Sequence, residues 1–532
     1  MVRVSATSRY SHYLLIIIIA LLVSLISIAF MSSSIVYGTT QGAVLAVDME
    51  VEPNDFRISD MGPDGNTGFG VSSPAVAYNT RSHEYLVTWS GDDQTRDAVE
   101  IRGQRINADT GQEMGTNDFQ ISQVRANIDP EFRAFTSDIV YNPTADEYLV
   151  VWAAYDLLSP EPTPGGIYGQ RLDANTGAAI GTDDFRIDQP ITTPGYLDTL
   201  PSIAYNSTAD EYLVVWESDL REDDNPSEIV GQRLTSAGEP VGENLAITTM
   251  MPYGLDIAYH PVANEFLVVW AGNDDTKGLE IFAQRLDAAT GAEVGDDDFR
   301  ISDMGFDLDL NFVVSDPAIA YNDTRQEFLV VWSGGLDDAD INYEIYGQRL
   351  SAGGEELGDD DFLISTIGSE SQLYTANEPT IVYNPIDEEY LVTWAVDTYF
   401  GTMDAEEYEI YGQRLDGVSG AEVGDDDFRI SDMGPDDNSA YQPYSPAIGY
   451  SSKNNTYLVA WSGDDNTGPL VNNEFEIFGQ RLVGQQTLPP TATPTATSTP
   501  PPTTIPPTAT PTPTPDLPPI EPSRSFLPLI IR

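Results

Sequence analysis

The sequence predicts an all-β fold, a seven-bladed β-propeller of four-stranded blades closed by an N-terminal outer strand. Three observations predict it. All seven tryptophans end one recurring phrase: "EYLVTW" at Trp89, "EYLVVW" at Trp152 and Trp216, "EFLVVW" at Trp270 and Trp332, "EYLVTW" at Trp394 and "TYLVAW" at Trp461. Each phrase follows a shorter one such as "PAIAYN" and precedes one such as "EIYGQRL" and then one like "DFRIS", at a period of about 62 residues that outranks any local pattern. Finally, "DFRIS" first stands at Asp55–Ser59, ahead of any complete repeat, while the last repeat stops at Glu476–Leu482 with no such phrase behind it.

Each phrase is four to seven residues of Val, Ile, Tyr, Phe and Trp bounded by Gly, Asn, Asp and Pro, with no helical period between them. Those are strand signals. Four strands, A to D, make one unit, and seven units stack around an axis because a single blade cannot bury both faces alone. Strand A carries small residues such as Ala75, Ala77, Ala318 and Ala320, which suit the crowded centre. The D strands begin at Asp55, Asp118, Asp184, Asn244, Asp298, Asp361 and Asp427. The first therefore belongs beside Glu476–Leu482, as the outer strand of the seventh blade, and this pairing removes the open edges of an unclosed array. The arginine of each GQR (Arg105, Arg171, Arg233, Arg285, Arg349, Arg414 and Arg481) recurs with the D-strand aspartate, so Arg–carboxylate pairs are the expected scaffold.

The layout resembles the seven-bladed propellers of the WD40 type, including their closure by an N-terminal outer strand. The Gly-His and Trp-Asp dipeptides of that family are missing here. The "YLVVW…IYGQRL" repeats resemble those of exported bacterial repeat proteins that are poorly characterised, and the resemblance covers roughly Asn54–Leu482.

Residues 1–46 read as a signal peptide or signal anchor with a short spacer: Arg3 and Arg9 precede the uncharged run Leu14–Met31. The propeller is assigned to 47–486. Residues 487–522 are a Pro/Thr-rich linker, extended because proline fixes φ and removes donors, and 523–532 form a short apolar tail. This order places the protein outside the cell or on its surface, in contact with a membrane only through an uncleaved N-terminal segment. A monomer is expected.

The net charge of −61, with two lysines in 532 residues, excludes nucleic acid as a partner, because an acidic surface repels phosphate backbones. The absence of cysteine excludes disulfides, thiolate metal sites and thiol nucleophiles. The A–B loops are five residues long in every repeat, whereas the B–C and D–A connections vary in length and sequence. Variable loops on a rigid scaffold are where binding groups sit. The B–C/D–A rim is therefore the expected binding face, with Asp92, Asp93, Asp274, Asp275, Asp337, Asp338, Asp464 and Asp465 on its loops. Asp138 and Asp256 stand out on A strands near the same rim. The stretch "DMGFDLDLN" alternates Asp307, Asp309 and Asn311 as oxygen ligands alternate in calcium loops, so Ca²⁺ is the one cofactor suggested.

These readings lead to a non-enzymatic propeller that binds an extracellular protein or glycan through acidic loops, with no catalytic residue assigned. Two alternatives are a carbohydrate-active hydrolase, with paired carboxylates at the mouth of the ring, and a structural component of a surface layer or matrix.

Overall fold

The computed structural model describes residues 49–485, except 93–98, 125–131, 156–164, 189–195, 221–226, 274–277, 305–311, 337–342, 367–372, 400–405, 435–440 and 467. The signal-like segment, the Pro/Thr stretch, Asp93, Asp274, Asp275, Asp337, Asp338 and the proposed calcium ligands Asp307, Asp309 and Asn311 lie outside the described residues. There are 28 described strands, from β1 (Glu50–Arg57) to β28 (Phe475–Val483). They form seven antiparallel four-stranded blades, each ordered A-B-C-D. Blade one, for example, comprises β2 (Val71–Asn79), β3 (Glu84–Asp92), β4 (Val99–Asn107) and β5 (Glu113–Gln120). Blades five and six are bridged by a single parallel pair, Tyr343 with Thr375.

The ring closes as the displaced DFRIS requires. β1 pairs antiparallel with β28, Glu50 facing Leu482 and Arg57 facing Phe478, so the first strand of the chain completes the last blade. Arg57 and Ser59 both donate to Glu476, and Ser59 Oγ also accepts from Ile477 N–H at 2.8 Å.

The repeated residues build the scaffold. All seven tryptophans are at most 1 % exposed, which makes them core residues rather than stacking platforms. The arginine of GQR does pair with a carboxylate, but with the glutamate that opens strand B of its own blade. Arg105 grips Glu84 through Nε at 2.8 Å and Nη2 at 2.7 Å. Equivalent pairs are Arg171–Glu147, Arg233–Glu211, Arg285–Glu265, Arg349–Glu327 and Arg414–Glu389. Thr456 replaces the glutamate in blade seven, and there Arg481 donates instead to the backbone carbonyls of Asp109 and Glu52, both at 2.6 Å.

The D-strand aspartate does different work. In six blades it adopts a positive φ of 41–48° at a β-bulge. Its N–H donates to the glutamine of GQR, as Asp118 does to Gln104 Oε1 at 3.0 Å. Its carboxylate reaches the preceding blade and accepts a backbone N–H just after that blade's D strand: Asp118 from Asp60 at 2.9 Å, Asp361 from Asp303 and Asp427 from Thr366, both at 2.7 Å. Asp55 completes the circle, accepting from Asp432 N–H at 2.7 Å. An aspartate thus clasps six of the seven blades to the one before, and Asn244 stands at that position in blade three. The D-strand phenylalanine packs alongside it, against the C–D turn glycine of the following blade: a Cβ at Gly177 would lie 3.0 Å from Phe119, and one at Gly354 would lie 2.7 Å from Phe299.

Five of the uniform A–B loops share one chemical cause, while strand A ends in His260 in blade four and in Ser451 in blade seven. The asparagine that ends strand A accepts from the backbone two and three residues on, as Asn79 Oδ1 does from Arg81 at 2.8 Å and Ser82 at 3.1 Å, which is an Asx turn.

Blade two shows that these contacts are held as pairs. In five other blades a glutamate opening strand C meets the serine of DFRIS, as Glu100 meets Ser122 at 2.5 Å. In blade two the glutamate is Gly166 and the serine is Asp188, so the carboxylate has moved from one strand to the other, still bonded to Ile167 N–H at 2.8 Å. A Cβ on Gly166 would stand 2.8 Å from Asp188 Oδ1. Gly166→Glu and Asp188→Ser should each destabilise by about 1–3 kcal/mol, while the double variant recovers most of the loss, a coupling measurable by chemical denaturation in a double-mutant cycle.

Burial of the clasps has a consequence for pH. Desolvation pushes Asp55, Asp118 and Asp361 up to about 7, and Asp298 and Asp427 up to about 6, although the accepted hydrogen bonds pull the other way. Because the folded pKa is raised, the native state holds more protons than the unfolded chain between about pH 4 and 7, so stability falls as pH rises through that window. The urea midpoint should be higher at pH 5.5 than at pH 8, and Asp361→Asn together with Asp427→Asn should flatten the difference.

Candidate functional site at the centre of the ring

Each A strand contains a β-bulge. In blade five, β18 (Phe312–Asn322) pairs with β19 (Glu327–Leu336) so that Ser315 faces Ser333 and Ala318 faces Val331, leaving Asp316 and Pro317 opposite Trp332 alone. The same break falls opposite Trp89, Trp152, Trp216, Trp394 and Trp461, and blade four inserts Gly254 beside Trp270. The first bulge residue is left-handed in every blade: Ser73, Thr136, Leu200, Gly254, Asp316, Glu378 and Ser445 have φ between 47 and 67°. In five blades the second is proline, which has no N–H to leave unpaired where the ladder breaks.

These seven bulges line a central cavity of about 300 Å³. The bulge lies in the half of strand A nearer the D–A connection, so the cavity is on the side of the variable rim. Its wall is Ser, Thr, Pro, Leu and Gly except at two adjacent blades, where Asp316 and Glu378 supply carboxylates. Both side chains are exposed into the cavity and yet enclosed by the inner strands. Desolvation raises the pKa of each; the Asp316 charge raises Glu378 further, so the two carboxylates sense one another. Asp316 accepts from Ser315 Oγ at 2.8 Å, and Glu378 accepts from Ser445 N–H, also at 2.8 Å.

The structure puts the sequence-predicted acidic residues elsewhere. Asp138 and Asp256 do lie on A strands, two residues past the left-handed position, but they fasten strands together. Asp138 accepts from Ile139 N–H at 2.7 Å and from Ile203 N–H of the next blade at 2.9 Å. Asp256 does the same with Ile257 at 2.7 Å and Ile319 at 2.9 Å. Ser202 Oγ lies 3.2 Å from Asp138 and 3.0 Å from Asp256, joining three blades. Burial pushes Asp138 up, and Asp256 up to about 7. Asp464 is buried and accepts from Asn473 N–H at 2.7 Å, holding its own loop, with Asp465 beside it. Asp92 ends β3, its N–H bonded to Gly70 at 2.8 Å. The structure therefore does not gather these residues into one site. Among the described residues, Asp303, Asp360 and Asp361 bring carboxylate oxygens within 4.8 Å of one another, at the clasp between blades four and five.

No family model matches the chain, and no curated protein matches it. Solved structures do. An α-L-arabinofuranosidase from Fusarium graminearum, in complex with an iminosugar inhibitor, is 12% identical over 80% of this chain and 96% of its own, with a TM-score of 0.41. An α-L-arabinanase from Penicillium chrysogenum, complexed with arabinobiose, is 13% identical over 63% of this chain and 89% of its own, with a TM-score of 0.38. A thermostable family-43 glycoside hydrolase is 11% identical over 54% of this chain and 89% of its own, with a TM-score of 0.32. At such identities the likeness concerns the fold. The expectation of a non-enzymatic propeller that only binds through acidic loops is corrected on the chain's own geometry: the centre of the ring holds two carboxyl groups, Asp316 and Glu378, that the sequence reading passed over. These three solved structures are themselves glycoside hydrolases.

Replacing Asp256 by Ala strands Ile319 N–H and should lower stability by about 1–3 kcal/mol, whereas Asp256→Asn, which keeps an acceptor, should cost less; thermal unfolding of the two variants checks the fastening role.

Proposed function

We propose that the protein is a carbohydrate-active hydrolase whose reaction centre is the central cavity. The observation that carries this reading is the pairing of Asp316 and Glu378 on adjacent blades, exposed to the cavity and both raised by desolvation. Glycoside hydrolysis needs two carboxyl groups flanking one bond, one protonated and one ionised. Environments that separate two carboxyl pKa values assign such roles. Glu378, raised by burial and by the Asp316 charge, keeps its proton and acts as the general acid. Asp316, steadied by Ser315, stays ionised and serves as nucleophile or as base toward water. The left-handed backbone at both positions turns the side chains toward the axis, where a sugar ring would sit. We place the activity outside the cell, in line with the signal-like N-terminal segment and the Pro/Thr-rich linker.

The test is turnover of a polysaccharide and aryl-glycoside panel by the full chain. Glu378→Gln and Asp316→Asn should each lower kcat by about 10²–10⁴-fold with the unfolding midpoint unchanged. The wild-type rate should follow a bell-shaped pH profile whose acidic and basic limbs are lost in Asp316→Asn and Glu378→Gln respectively. A panel without turnover, or variants as active as the wild type, would overturn the reading.

A further inference from the structure

The cavity carries two carboxyl groups, with the negative charge on Asp316, and, among the described residues that line it, no lysine, arginine or histidine. The groups behind the wall do not supply the missing charge. Asp138 and Asp256 stand two positions further along the inner strands and are carboxylates too. Arg133, the one basic residue on the described inner strands other than His260, is buried and does not line the cavity. His260 closes strand A of blade four at the opposite, A–B end, packed against Tyr321 and Phe328. Among the described residues, the site therefore presents uncompensated negative potential to an occupant. A low-dielectric wall of Pro, Leu and Gly strengthens that potential relative to water.

Size narrows the occupant further. A volume of about 300 Å³ lies at the lower end of the range for ligand cavities, which suits one sugar ring rather than a stretch of chain. The hydroxyls of Ser73 and Ser445 offer donors and acceptors to ring hydroxyls, while the two carboxyl groups on adjacent blades meet one side of the ring.

We propose that the central cavity selects a single terminal sugar carrying a free, protonated amino group, and rejects uronic acids. This deepens the hydrolase reading and rests on it for the term substrate. The binding preference stands on the cavity's shape and charge alone. An ammonium placed between Asp316 and Glu378 pairs with the Asp316 carboxylate and donates to the Glu378 carboxyl oxygen. A uronate in the same place sets a second negative charge against one already desolvated.

The experiment is calorimetric titration of the full chain with the methyl glycosides of glucosamine, glucose and glucuronic acid, and with methylammonium as the bare cation. The glucosamine glycoside should bind about 10- to 100-fold more tightly than the glucose glycoside, the range expected of hydrogen bonds to a charged group, and the glucuronide should not bind measurably. Asp316→Asn, which keeps shape and removes the charge, should reduce the glucosamine–glucose difference by about tenfold, and Glu378→Gln, which keeps shape, should reduce it less. Equal affinity for the three glycosides, or a preference that survives both variants, would overturn the proposal. So would methylammonium binding as tightly as the amino sugar, which would make this a site for small cations. Selective binding without turnover of any glycoside would remove the hydrolase reading and leave this assignment standing. Turnover with no preference for the charged sugar would do the reverse.

Discussion

Everything at the centre of this molecule depends on one irregularity, the bulge in each inner strand opposite a buried tryptophan. A regular strand A would pair residue for residue with strand B and present alternating side chains to its two neighbouring blades. The bulge breaks that alternation at one level of the ring. It turns a left-handed residue toward the axis and spends a proline where the ladder has no partner. Left-handed backbone costs an ordinary residue about 1–2 kcal/mol, and the ring accepts this in six of seven blades, because only Gly254 is free of it. The tryptophan opposite fills the space that the break opens. The result is a collar of seven positions released from packing, and these are the positions free to differ between blades.

The remainder of the scaffold is a set of bonds repeated with little variation: Arg to Glu within six blades, Asp to a neighbouring blade, Asn across five of the A–B turns. Each satisfies a group that burial would otherwise leave costly. Their repetition separates the molecule into a constant outer frame and a variable inner collar. Asp316 and Glu378 owe their chemical character to that separation. They sit in a polar cavity whose walls are held rigidly by contacts to which they contribute almost nothing.

The architecture was legible in the sequence because its signals are periodic. Trp, GQR and DFRIS mark every blade, and the misplaced first DFRIS announces the closing strand. The partners of the repeated charges were less legible. Arg105 and its counterparts follow the strand B glutamate and precede the D-strand aspartate in the same order in five blades, and that order does not say which one lies across the ladder. The site was harder still. Asp316 and Glu378 directly precede the prolines that open "PAIAYN" and its relative, just outside the phrase that repeats. Attention to acidic loops led away from them, and Asp138 and Asp256, inside the phrase, were conspicuous because they interrupt it. The usable signal was the residue just ahead of the strand A phrase, which reads Ser, Thr, Leu, Gly, Asp, Glu and Ser around the ring and is acidic in two adjacent blades alone.

The closing strand also bears on how such a chain can grow. Because the seam falls between strands C and D of one blade, the repeating unit in the gene is D-A-B-C while the unit in space is A-B-C-D. Duplicating or deleting one genetic unit therefore leaves a chain that still begins with an outer strand and ends lacking one. Any whole number of units remains able to lock its own ends together, and only the wedge angle between blades sets how many will fit. The offset makes copy number a freely variable character of the lineage, and it lets a newly added blade bring its own collar residue to the cavity at the moment it appears.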